Sequence, residues 1–416
     1  MEDDARKDKY KVTAWVVWLV SVIFYLYEYL VRVAPSVMEQ ELEVALQATP
    51  AALAGALGAY YFVYAPVQLL AGVLLDRFGG RRVLIPASLL VVLGCLFIVL
   101  PSVTLCSIAV GRFFMGLGSG FGFIGVMYLA AVWFHPEKLA LISGLTTSSG
   151  ILGALIGQIP LSHLTDVVGW RSAWIYIAFA GVIVTLLLMI CIPKTPVWER
   201  KKLEARNEDF ALKNLSSGLW AVCKNRQTWI IGFVACALYT PFVVFGDLWG
   251  VQYVRLVADI TKQDAACVVG MFYIGWLIGS PLSGYIADRM GCRRRLLICG
   301  SFLSSIILGV IFLLPICSPF LLALLLFACG VVSSPQVVCF VCSLDVNPAF
   351  AKGSAIAVVN MIVMLVGGIF QPIIGWLIHA NGGAYDAHSF RCAMLLLPLL
   401  VISGFFTAFF MRSDRA

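Results

Sequence analysis

The sequence predicts an all-α membrane protein of twelve transmembrane helices, arranged as two pseudo-symmetric six-helix bundles. Three observations carry that prediction. Of 416 residues, 61% are hydrophobic and only 12% charged, with a mean hydropathy of +0.95, a balance that water-soluble domains do not sustain. Apolar runs follow one another with short polar breaks, each near the ~20 residues that cross ~30 Å of hydrocarbon. The third observation is an internal repeat. Gly72, Asp76, Arg77, Gly79, Arg81 and Arg82 recur 212 residues later as Gly284, Asp288, Arg289, Gly291, Arg293 and Arg294. The same offset carries Tyr61 to Tyr273 and Pro136 to Pro348.

Punctuation by Gly, Pro and charge places the spans near 12–36, 49–75, 83–101, 104–133, 138–164 and 171–193, then 227–254, 264–287, 296–315, 319–344, 352–380 and 389–411. The first run follows Arg6, Lys7, Lys9 and Lys11 like a secretion signal. It is too long for one, carries Glu28 and Arg32, and leads into further spans, so it reads as the first transmembrane helix. Residues 1–193 and 227–416 then form the two bundles, joined by a polar cytoplasmic linker at 194–226. That linker reads either as a solvated connector or as an amphipathic helix on the membrane surface. A duplicated unit of six helices keeps its orientation, because six is even. The pseudo-two-fold axis then runs along the membrane normal, with a site expected at midplane between the halves.

The net charge of +7 does not indicate nucleic acid once the basic residues are placed. With both termini inside, 23 of the 29 Lys and Arg fall in cytoplasmic segments and four (Arg171, Arg255, Lys262 and Arg391) in outer loops. The positive-inside rule therefore predicts a multi-pass inner-membrane protein with cytoplasmic termini. Most of the thirteen cysteines lie inside apolar spans and read as small packing residues rather than a disulfide framework. Cys339 and Cys342 form a lone CxxC without a partner pair. Neither a GxxxxGK[ST] loop nor an HExxH motif occurs, and the four histidines are scattered, so catalysis has no evident home and no cofactor or metal is expected.

The segment from Gly72 through Asp76, Arg77, Gly79 and Arg81 resembles the GxxxDRxGRR loop between the second and third helices of the major facilitator superfamily, and Gly284 to Arg293 repeats it. Glycines there permit a tight turn and close helix approach, and a carboxylate at a helix end can face a neighbouring helix N-terminus. The resemblance implies a conformational latch of the outward-open state; a topology anchor is the simpler alternative. Arg112-Phe-Phe-Met-Gly116-Leu-Gly118 on the fourth span is similar to the superfamily's RxxxGxG motif. An arginine at that depth costs ~2.5–3.5 kcal/mol and must face a cavity or a counter-charge.

Glu28 on the first span lies at a similar depth to Arg112. Proton-coupled sugar carriers of the superfamily pair an acid on the first helix with the arginine on the fourth. The resemblance thus implies proton coupling through Glu28 and Arg112, with a permanent structural ion pair as the alternative. Arg32 follows Glu28 by one helical turn and, by similarity to organic-anion carriers, is expected to hold a substrate carboxylate in its planar fork. It can otherwise snorkel to the outer surface. Asp247 on the seventh span is the counterpart in the other half, placed either to hold a substrate ammonium or to pair with Arg112 or Arg32. Tyr60, Tyr61, Tyr64 and Gln68, Gln158, Tyr273 and Trp276, and Asn360 and Gln371 complete the expected substrate pocket.

The fifth span, GLTTSSGILGALIGQIP, lacks the GxxxGPxxGG pattern of drug antiporters, which favours uptake over drug efflux. Over nearly its full length the chain resembles the phagosomal transporter family of intracellular bacteria, on YEYLVRVAPSVM, MYLAAVWFHPEKLALISGLTTSSGILGALIGQIPL, FGDLWGVQYV and FYIGWLIGSPLSGYIADRMG. That resemblance implies a monomeric, proton-coupled importer of amino acids or similar small zwitterions and organic anions. Nucleoside, dipeptide or siderophore carriage, export, and a polytopic enzyme or sensor are the alternatives.

Overall fold

A computed structural model describes residues 2–134, 139–193, 212–348, 351–382 and 386–412. Among them the chain is helical throughout, without a strand. The elements in order are α1 (Glu2–Val33), α2 (Glu39–Leu46), α3 (Pro50–Phe78), α4 (Gly80–Ile98), α5 (Leu105–Ser119), α6 (Gly122–Trp133) and α7 (Leu139–Cys191) in the first half. The second half holds α8 (Leu212–Lys224), α9 (Arg226–Thr240), α10 (Gly250–Ala258), α11 (Lys262–Met290), α12 (Arg293–Leu313), α13 (Pro319–Ser333), α14 (Val338–Val346), α15 (Lys352–Ala380), α16 (Ala387–Met394) and α17 (Leu396–Ala408). Most of the expected linker lies outside the described residues; its end is α8.

Eleven stretches among the described residues are long and apolar enough to cross a membrane. One of them, Leu145–Cys191, has 47 residues, about 70 Å at a 1.5 Å rise and twice what a bilayer needs. It turns at Gly169, whose φ of 79° and ψ of 158° are not helical, so the expected fifth and sixth spans are its two arms. The number of crossings among the described residues is therefore twelve. Large apolar side chains such as Phe179, Ile190, Phe320 and Leu399 stay exposed on the outside, the surface a bundle offers to acyl chains, while Glu28, Arg32, Arg112 and Asp247 are buried.

Packing follows the repeat. A Cβ on Gly116 of α5 would stand 2.2 Å from the Tyr60 carbonyl of α3, and one on Gly330 of α13 would stand 2.1 Å from the Phe272 carbonyl of α11. Tyr60 and Phe272 are again 212 residues apart. Each half thus uses a glycine to bring the same two helices into backbone contact, the small-residue packing that membranes favour. Proline is tolerated inside α3, α4, α7, α11 and α15, because neighbouring helices can satisfy the freed backbone groups.

The seventh span is irregular at its centre. Between α9 and α10 the nine residues Pro241–Trp249 form a π-helix, all of them buried. Pro241 supplies no N–H and so helps to break the α register. Two side chains take up carbonyls there. Gln158 Nε2, from the first half, donates to the Gly246 carbonyl at 2.7 Å, and Gln371 Nε2 donates to the Val243 carbonyl at 2.8 Å.

The two ends of the bundle differ. At the end opposite the 76–82 and 288–294 loops, here termed the far end, charged and polar groups tie the halves together. Lys262 bonds Glu41 at 2.7 Å and also pairs with Asp166, Gln263 donates to Asp166, and Arg255 donates to Gln40.

Candidate substrate-binding and coupling site

Asp247 sits at the centre of the π stretch, and its two oxygens are taken by groups from both halves. Tyr61 of α3 donates to Oδ2 at 2.9 Å, and Tyr273 of α11 donates to Oδ1 at 2.9 Å. These are the tyrosines that the 212-residue offset relates, so the duplication closes on a single carboxylate. Arg32 Nε stands 3.4 Å from Oδ2, with both side chains fully buried. Of the alternatives open for Asp247, the structure thus brings it to Arg32. Two phenols and a guanidinium take three of the roughly four acceptor positions of this carboxylate.

Arg32 does not snorkel. It lies at the end of α1 with 1% exposure, and its guanidinium carbon is 3.6 Å from the centre of the Tyr29 ring, close enough for a strong cation–π contact. Neither Nη atom has a hydrogen-bond partner. A buried guanidinium with two idle donors is costly unless something anionic meets it.

Arg112 behaves differently from what the sequence suggests. Its Nε donates to the Leu57 carbonyl at 3.1 Å, and its Nη atoms donate to the Val31 carbonyl at 3.1 Å and the Arg32 carbonyl at 3.4 Å, while its carbon lies 4.5 Å over the Tyr60 ring. The last carbonyls of α1 lack helical partners and carry the negative end of the helix dipole, which is where a buried guanidinium is best placed. Arg112 therefore binds the end of α1 to α3 and forms no ion pair with Glu28 in this conformation. Glu28 is wholly buried and neither of its oxygens has a partner. It lies against α6, where a Cβ on Gly122 would meet its Oε2 at 2.6 Å.

The remaining expected pocket residues divide. Tyr60 and Tyr64 stack with ring centres 5.5 Å apart beside these charges, and the Tyr60 hydroxyl has no partner. Trp276 packs into the aromatic group of Tyr239, Phe242 and Phe272. Gln158 and Gln371 spend their amides on the π stretch, as described, and Gln68 accepts from Asn360 across the halves. Tyr61, expected in the pocket, is on Asp247; Tyr29 is the residue that site reasoning passed over. Spacing could have found Tyr29, three residues before Arg32 on the same helix face.

At the signature loops, Gly79 and Gly291 have φ of 78° and 59°, the left-handed region that glycine occupies without penalty. Gly72 and Gly284 have open space beside them. Arg81 donates to the Ile192 carbonyl at the end of α7, Arg294 to the Ala408 carbonyl at 3.3 Å, Arg293 pairs with Asp345, and Arg289 bonds Tyr285; Arg77 is exposed. These contacts all lie within one half. The side chains of Asp76 and Asp288 lie outside the described residues. Cys339 and Cys342 are buried in α14 and form no disulfide.

Twelve crossings among the described residues, a 212-residue duplication and buried charges meeting between the halves define a duplicated polytopic membrane bundle with a charged centre. Residues 17–372, and again 249–416, match the profile of the Major Facilitator Superfamily, and the chain belongs to that family. Among curated proteins it is 26% identical over 257 residues to the "Probable anion transporter 5" of Arabidopsis thaliana, covering 58% of this chain and 57% of that one. It is 24% identical to the "Probable sulfoacetate transporter SauU" of Cupriavidus necator, over 65% and 64% of the two chains. With the glycerol-3-phosphate transporter of Bacillus subtilis it shares 23% over 79% and 78%. The chain thus spans 57% of the length of the plant relative. In fold it is similar to a bacterial homologue of the lysosomal transporter Spinster, at a TM-score of 0.72 and 14% identity over 95% and 96% of the chains. A D-xylose–proton symporter is similar at 0.68 and 17% over 93% and 97%.

Proposed function

We propose that this carrier imports small carboxylates, organic anions and zwitterionic amino acids among them, by proton-coupled alternating access, with the far end facing outside. The carrying observation is Arg32: a guanidinium buried between the halves, oriented by Asp247 through its Nε, with both Nη donors idle. A guanidinium held in this way presents a two-pronged edge that matches a carboxylate. Relatives named for anions, sulfoacetate and glycerol-3-phosphate support an anionic substrate. The resemblance to phagosomal transporters supports amino acids within that class.

Coupling is assigned to Glu28, one turn from Arg32. A fully buried carboxyl with no donor is expensive as an anion, and a proton removes that cost. Proton and substrate anion together then bring no net charge across with them, so the site neutralises in a single loaded state. With a zwitterionic substrate the proton's charge crosses uncompensated, and at ~150 mV it carries ~3.4 kcal/mol, or roughly 300-fold accumulation. Arg112 serves this scheme as a positioning residue, by holding the end of α1 that carries both groups.

The test is uptake into proteoliposomes with an imposed pH gradient, using amino acids, dicarboxylates, sulfonates, nucleosides, dipeptides and ferric chelates side by side. Accumulation of a carboxylate that is lost in Arg32→Ala supports the reading. Accumulation of only uncharged nucleosides or chelates, unaffected by Arg32→Ala, overturns it.

A further inference from the structure

The far end holds a second pair of carboxyls that the transport site does not use. Helix α2 (Glu39–Leu46) follows α1 directly and divides its charges between two faces. Gln40 and Glu41 reach across to Arg255 and Lys262 of the second half. Glu39 and Glu43, one turn apart, turn the other way and are buried, at 3% and 6% exposure. Both oxygens of Glu39 and Oε1 of Glu43 lack any hydrogen-bond partner. The cations at this end are engaged elsewhere: Lys262 with Glu41, Asp166 and Thr165, Arg255 with Gln40, Arg391 against Tyr253, and Arg171 over the Trp170 ring at 5.1 Å. Segment 34–37 and the first 26 residues of α3, against which α2 packs, carry no charged residue.

We infer that Glu39 and Glu43 form a proton-binding site of the far-end gate, occupied when the gate is closed and emptied when it opens. Two neighbouring carboxylates without a cation or donor cannot both stay ionised in a buried place. When the Lys262 and Arg255 contacts part, water reaches α2, and both groups can release their protons. Desolvation, then the charges of Glu43 and Glu41, hold the Glu39 carboxyl well above the ordinary range, and burial raises Glu43 from 4.5 to about 7. The sign follows from linkage. The closed gate has the higher proton affinity, so protonation favours closure fully below about 4.5, and for Glu43 that advantage disappears as pH rises to about 7. Within this window each group changes the closed-to-open ratio by up to about tenfold per pH unit.

This inference stands on the gate and not on the transport reading, so it is read without substrate. Spin labels at Val44→Cys and His388→Cys, in full-length protein from which the other exposed cysteines are removed, report the distance across the far end between pH 5 and pH 8. The expected result is a closed distance at low pH that gives way to a longer one as pH rises. Glu39→Gln with Glu43→Gln should stay closed throughout, since neutral amides of the same shape carry no charge to expel; Glu43→Gln alone should keep a response that is weakened and moved to higher pH. A pH response unchanged in the double variant overturns the proposal, as does a response abolished by Glu28→Gln instead.

Discussion

At residue scale the centre of the molecule is one carboxylate with three clients. Asp247 accepts from Tyr61 and Tyr273 and pairs with Arg32, so its role in the proposed cycle is to aim a guanidinium rather than to touch substrate. Each phenol bond to an ionised group contributes about 1.5–3 kcal/mol. Tyr61→Phe and Tyr273→Phe are therefore expected to lower the melting temperature by similar amounts, and Asp247→Ala by more, because it leaves Arg32 buried and unpaired at a cost of about 3–5 kcal/mol. Thermal unfolding in detergent reads this directly. Equal stability of all three variants would deny the network. Glu28 makes the opposite prediction. Glu28→Gln is expected to bring the proton-driven accumulation ratio down to about one while counterflow exchange of the same substrate persists; full uphill uptake by that variant would remove Glu28 from coupling.

Elements are set by backbone chemistry that single residues control. Gly116 and Gly330 are in contact with the carbonyls of Tyr60 and Phe272, and the obstacle a methyl would meet is backbone, not a flexible side-chain end. Gly116→Ala and Gly330→Ala should each destabilise their own half, by roughly the 1–3 kcal/mol of overpacking, whereas Gly72→Ala and Gly284→Ala, with open space around them, should be near neutral. Comparative melting of the four variants distinguishes these outcomes. Gly79 and Gly291 cost something else: a side chain at positive φ, about 1 kcal/mol each. The π stretch of the seventh span is the element no pattern announced. Its register break depends on Gln158 and Gln371 arriving from two other spans to take its carbonyls, and such partners have no signature in the local sequence.

For the whole molecule, charged groups tie the far end across the halves, so that end is closed in this conformation. Lys262 is the hub, with Glu41, Asp166 and Thr165 as its partners. Lys262→Ala is expected to lengthen the far-end distance at every pH, seen by the same spin-label pair. An unaltered distance would mean that packing rather than charge keeps this end shut.

How much of this the sequence held depends on whether a feature is periodic or convergent. Membrane class, twelve crossings and the duplication follow from the chain alone, because crossing a bilayer demands about twenty apolar residues in one run and a repeat preserves spacing. The candidate charges were legible for the same reason: an ionised group inside an apolar span stands out whatever its partner. Their pairing was not. Glu28 and Arg112 share a depth along their helices, yet depth is one coordinate of three. Arg112 turned to the carbonyl end of α1, Arg32 went to Asp247, and Glu28 was left without a partner, since rotation about each helix axis and the packing of two bundles decide which side chains meet.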